Sequence, residues 1–154
     1  MRAFLLCLLA ACLAAAPAQA RVTILAVHVF GEKSDDNDIK CGVRSEELVG
    51  IVKQVLRANR IPLAAEVDLG LIDAYINFLT LIKDDTCITW YALEFRLWGS
   101  ANYRGSAKPL NGDIQLCRSG NMQHGRAEAN RNDIHKSLRQ MTLDCIAEVQ
   151  NIGD

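Results

Sequence analysis

The residues able to do chemistry in this 154-residue chain gather in a few places, and the densest is the stretch Leu116-Cys117-Arg118-Ser119-Gly120-Asn121-Met122-Gln123-His124-Gly125-Arg126. Read as a loop that follows a disulfide-pinned strand, it offers backbone N–H groups at its glycines. Arg118 and Arg126 then suit an anionic group, and His124 an acid or a base. Trp98 and Tyr103 lie close enough in sequence to extend this into a binding surface made of Arg118, His124, Arg126, Trp98 and Tyr103. The competing reading is a solvated connection whose arginines pair with neighbouring carboxylates.

Other constellations are weaker. Asp35-Asp36-Asn37-Asp38 supplies oxygens, but the glycine and the closing bidentate glutamate of an EF-hand loop are missing, so it reads as an acidic, flexible surface loop. Asp68, Asp73 and Glu94 include a pair of carboxylates for glycosidase work, yet no motif fixes their separation. His28 sits in an apolar segment and reads as structural, while His135 follows Ile134 at the solvent edge of the last helix. No G-x-S-x-G elbow occurs. Neither C-x-x-C nor H-x-x-x-H spacing is present, so no metal and no cofactor are expected.

The cysteines set the compartment. Residues 1–20 (MRAFLLCLLAACLAAAPAQA) run from Arg2 through an apolar core to Ala18-Gln19-Ala20, the pattern of a secretory signal cleaved before Arg21. An alternative is lipid attachment at Cys12, after Leu9-Ala10-Ala11. The mature chain, 21–154, carries no second apolar stretch long enough to span a bilayer and reads as a single small domain. It retains Cys41, Cys87, Cys117 and Cys145, which in an exported chain imply two disulfides with three possible connectivities. A hairpin folding back near Asn102 sets Cys87 opposite Cys117. That leaves Cys41 to meet Cys145. Oxidised in this way, the cysteines lose the thiolate a cysteine enzyme needs. The short n-region, the Ala-rich signal and the lack of an N-x-S/T acceptor point to the bacterial periplasm.

The elements that must position these residues are legible in outline. Residues 22–30 (VTILAVHVF) are apolar on both alternating sets and predict a central strand covered on both faces. Ser45, followed by Glu46 and Glu47, predicts a helix N-cap before the stripe Leu48, Ile51, Val52, Val55 and Leu56. Residues 66–83 read as a bent strand or two strands broken near Gly70, with a helix over 71–82 as the rival. Lys83-Asp84-Asp85-Thr86 is a turn, and residues 87–98 (CITWYALEFRLW) form the strongest strand, its odd positions facing the core. A short return strand spans 113–118. Asn130 or Asn132 opens a last helix with Ile134, Leu138, Met141, Cys145, Ile146 and Val149 on one face. The class is therefore α+β: a mostly antiparallel sheet in β-α-β-β-β-α order, with two amphipathic helices packed on one face and two disulfides.

Overall charge is balanced, with 17 Lys+Arg against 18 Asp+Glu, which excludes a polybasic nucleic-acid binder. Locally, the balance is −4 over 21–95 and +5 over 96–139, a pointer to an anionic ligand or an envelope protein as partner. The functional expectation is an exported, disulfide-stabilised binding or inhibitor-type protein without catalytic activity. The alternatives are a small periplasmic hydrolase or transferase using His124 with a nearby Arg or Asp, and a subunit of an envelope assembly.

Overall fold

A computed structural model describes residues 24–68, 70–101 and 110–152. The proposed signal, residues 1–20, and Tyr103 lie outside the described residues. The elements are β1 (Val27–Gly31), α1 (Asp36–Lys40), α2 (Ser45–Ala58), β2 (Ile72–Lys83), β3 (Thr86–Ala101), β4 (Leu110–Gly125) and α3 (Ala127–Gln150). The four strands form one sheet in the order β1-β2-β3-β4, with β1 parallel to β2 and the other pairs antiparallel. The α+β class and the mostly antiparallel sheet hold, with a short extra helix.

The β2–β3 hairpin follows from its turn. Asp84 and Asp85 both take positive φ (47° and 60°), as a two-residue type I′ turn requires, and Lys83 pairs with Thr86. The register that follows sets Phe78 opposite Tyr91, Ile76 opposite Leu93 and Ala74 opposite Phe95, all buried. The strand reading of 72–83 is thus the correct one, and the helix rival is not. These residues form the core with Val27 and Val29, the α2 stripe from Leu48 to Leu56, and Ile134, Leu138, Met141, Cys145, Ile146 and Val149 of α3.

Several expectations need correction. The first strand is an edge strand, not a central one: Val27 and Val29 point to the core, while the outer set is apolar because Phe30 stacks on Tyr75 and on His28. Ser45 is the first residue of α2 rather than its cap; its N–H is taken by the Ser34 hydroxyl at 2.8 Å. Residues 35–38 are not a flexible loop. They start α1 through a capping box in which Asp35 Oδ1 accepts from the Asp38 N–H and Asp38 Oδ2 from the Asp35 N–H, both at 2.9 Å.

The disulfides join Cys41 to Cys87 and Cys117 to Cys145, so the expected Cys87–Cys117 and Cys41–Cys145 pairs are overturned. The reason is register. β4 runs on to Gly125, Ala101 pairs with Leu110, and Cys87 pairs with Gly125 while Cys117 lies opposite Phe95. Each cysteine therefore meets a neighbour arriving on the core face. Cys87 binds the residue that ends α1, and Cys117 binds α3.

A buried polar chain crosses the same end of the core. Asn130 Nδ2 donates to Thr89 Oγ1 at 3.0 Å, and Thr89 and Thr80 share a hydrogen bond at 3.1 Å. Asp38 is buried nearby. Burial drives its carboxyl above the usual carboxylate range, opposed by the Thr80 hydroxyl and the Asp35 backbone.

Candidate functional site on the open face of the sheet

The buried contacts of α1, α2 and α3 fall on the face that carries Ala74, Ile76, Thr80, Tyr91, Leu93 and Cys117. Alternation turns the intervening residues to the other face. There the ladder aligns His28, Asp73 and Arg96 in one row and Phe30, Tyr75, Glu94 and Arg118 in the next. Asn77, Ala92 and Gly120 follow, then Leu79, Trp90 and Met122, then Leu81, Ile88 and His124. The face divides into a polar half and an apolar half, separated by the row of small residues.

The polar half is a set of matched pairs. His28 Nδ1 lies 3.2 Å from Asp73 Oδ1. The Tyr75 hydroxyl donates to Glu32 Oε1 at 2.6 Å, and burial followed by this acceptor pushes its pKa up to about 12, so it stays a donor across the neutral range. The Arg96 guanidinium stacks 4.6 Å over the Tyr75 ring, and its Nε donates to Glu94 Oε2 at 2.7 Å. Arg118 approaches the other oxygen, Oε1, at 3.4 Å. Glu94 is 5% exposed and is shared by two guanidiniums, which accounts for a carboxylate so deeply placed on this side of the sheet.

The apolar half carries Leu79, Leu81 and Met122, which are 57%, 57% and 60% exposed, around a half-exposed Trp90. Between the halves, Gly120 permits a close approach: a Cβ there would meet Ala92 Cβ and the Tyr91 carbonyl oxygen, each at 3.3 Å. Asn77 Oδ1, in the same row, is buried without a hydrogen-bond partner among the described residues.

The sequence-predicted residues do not meet in one place. The stretch 117–125 is strand, not loop. Arg118 and His124 share its outer face but stand six residues apart, roughly 20 Å along an extended chain. Arg126 is exposed at the N-cap of α3, and Trp98 is exposed on β3 opposite Asp113. The structure joins Arg118 instead to Glu94 and Arg96. Reading the sequence missed His28, Glu32, Tyr75 and Arg96. The signal was present: counting back from a two-residue turn at Asp84-Asp85 puts Asp73 beside Arg96 and Tyr75 beside Glu94.

No hydroxyl or thiol is hydrogen-bonded to His28, and His124 has no hydrogen-bond or ion-pair partner, among the described residues. Nor does any group of three His, Cys, Asp or Glu among them lie where it could hold a metal ion. Among the described residues no helix is long and apolar enough to cross a membrane. Compared with models of known protein families and with curated proteins, the chain matches none of them.

Proposed function

We propose that this is an exported, non-catalytic binding protein of the inhibitor type, which uses the open face of its sheet to engage another component of the bacterial envelope, in the periplasm. The observation that carries the reading is the cluster of exposed Leu79, Leu81, Trp90 and Met122 on the face away from the helices. A contiguous apolar patch rimmed by charge is the common mark of a protein interaction site, because leaving it in water costs free energy that a partner recovers. Arg118, across the row of small residues from Met122, supplies a polar rim that orients the partner. The two disulfides support an oxidising, exported setting and hold the scaffold rigid, which lowers the ordering cost of binding. The rival reading, a hydrolase or transferase using His124, finds no acid, base or nucleophile paired with that residue among the described residues.

The test is capture from envelope extract by the exported chain carrying a C-terminal tag. Wild type and Lys136→Ala, on the exposed face of α3, retain the same partner; the double variant Trp90→Ser/Met122→Ser loses it at least tenfold while melting at a similar temperature. Equal recovery by the double variant would remove the open face from the account.

A further inference from the structure

The direction of every backbone group in the sheet can be followed from β1 outward. The Glu32 N–H donates to the Ile76 carbonyl at 3.0 Å and the Ile72 N–H to the Ala26 carbonyl at 3.4 Å, so the even residues of β2 turn their polar groups toward β1. Its odd residues then bond to β3, whose even residues face β2 and whose odd residues face β4. Through Tyr91 opposite Asn121 and Leu93 opposite Ser119, the odd residues of β4 face β3. Arg118, Gly120, Met122 and His124 therefore turn N–H and C=O away from the sheet. The Met122 N–H agrees: it is taken at 2.8 Å by the side-chain oxygen of Asn121, a local substitute for a missing strand.

β4 is the last strand in the sheet, and no strand among the described residues pairs with this edge. Edges of this kind are ordinarily blunted by bulges, charge, proline or a covering element. The first half of β4 is blunted, by the register shift opposite Phe95/Arg96 and by Asp113. At Gly125 the chain leaves the ladder for α3. Between these limits residues 117–125 form a regular, proline-free strand whose central residue is Asn121.

We propose that residues 117–125 pair antiparallel with the same residues of a second copy about a two-fold axis at Asn121, so that two four-stranded sheets become one continuous sheet. Only this register pairs the whole regular stretch with itself. Gly120 then stands opposite the partner's Met122, and Ser119 opposite the partner's Gln123. The outward-facing residues make the hydrogen-bonded pairs, each exchanging both N–H···O=C bonds. The fit is steric as well as polar. On the open face Gly120 carries no side chain to oppose the exposed methionine of the other chain, which stands directly across from it. No acidic pair is brought face to face. The one guanidinium in register, Arg118, stands opposite the partner's His124 and is already held by Glu94. The pairing sets both open faces on the same side of one sheet, with the row of Leu79, Trp90 and Met122 running on into the row that ends in the partner's Gly120. It goes beyond the proposed binding function and is measured on the purified chain alone, so it stands or falls separately from partner capture.

Asn121 is the residue that reports it. In this register the two Asn121 positions form a non-hydrogen-bonded pair about 4.5 Å apart at Cα, within the span of a disulfide. The expected results are three. Sedimentation equilibrium gives twice the chain mass; Asn121→Cys cross-links between chains under mild oxidation while Leu143→Cys, on α3, does not; and Met122→Pro, which removes an outward donor and leaves the β3 ladder intact, sediments as a monomer with an unchanged circular-dichroism spectrum. A monomer across the concentration series with no Asn121→Cys cross-link overturns the proposal, and so does a dimer that Met122→Pro leaves intact.

Discussion

Asp38 shows how one residue's environment sets a measurable property. It closes the capping box of α1, and its carboxyl lies buried beside Thr80. Burial raises its pKa above the ordinary aspartate value of 3.8, so the folded chain holds this proton more tightly than the unfolded chain does. The stabilising contribution is therefore complete below the unfolded pKa and is lost as pH rises through the folded one. Asp38→Asn keeps an acceptor for the Asp35 N–H and removes the titration. Relative to wild type, the variant gains stability between acid pH, below 3.8, and neutral pH; urea unfolding at the two ends measures the difference, and a gap independent of pH contradicts it. None of this was readable beforehand. A capping box of two aspartates in a five-residue helix has no periodicity, and Asp35-Asp36-Asn37-Asp38 looks the same in sequence as a solvated loop.

At the scale of the element, what was legible followed from burial on one side. Residues 87–98 alternate cleanly because Tyr91, Leu93 and Phe95 face the core, and the α2 and α3 stripes repeat at helical spacing for the same reason. β4 escaped notice beyond Arg118 because it is an edge strand: one side of its ladder meets β3 and its outer groups meet solvent, so Ser119, Gly120, Asn121 and Gln123 suffice to build it. That hidden strand also misled the disulfide pairing, since it moved the hairpin apex and carried Cys117 away from Cys87. Peptide mapping under non-reducing conditions yields peptides linking Cys41 to Cys87 and Cys117 to Cys145. With its ends 28 positions apart in sequence, the second bridge is worth about 3.5 kcal/mol in the chain-entropy account. Replacing both its cysteines by serine lowers the urea midpoint accordingly, while a change within error would show that α3 holds without it.

For the whole molecule, the consequence is a two-sided body. One side carries α1, α2 and α3, fastened by a bridge from the end of α1 to β3 and another from α3 to β4; the other presents a sheet to its surroundings. The polar half of that sheet is satisfied internally, since His28, Tyr75, Arg96 and Arg118 each have an acidic partner, which leaves the apolar half as the part that gains most from being covered. The candidate site was partly legible, because Arg118, Asp73 and Glu94 stood out by type, but which of them meet depended on a register that only the turn at Asp84-Asp85 specifies. Hydroxyl-radical footprinting of the chain, free and bound to its captured partner, tests the central claim most directly. The account predicts that Leu79, Trp90 and Met122 label readily in the free chain and become protected in the complex, with the exposed side chains of α2 and α3 unchanged. Protection confined to the helices, with the sheet residues labelling equally in both states, would contradict it.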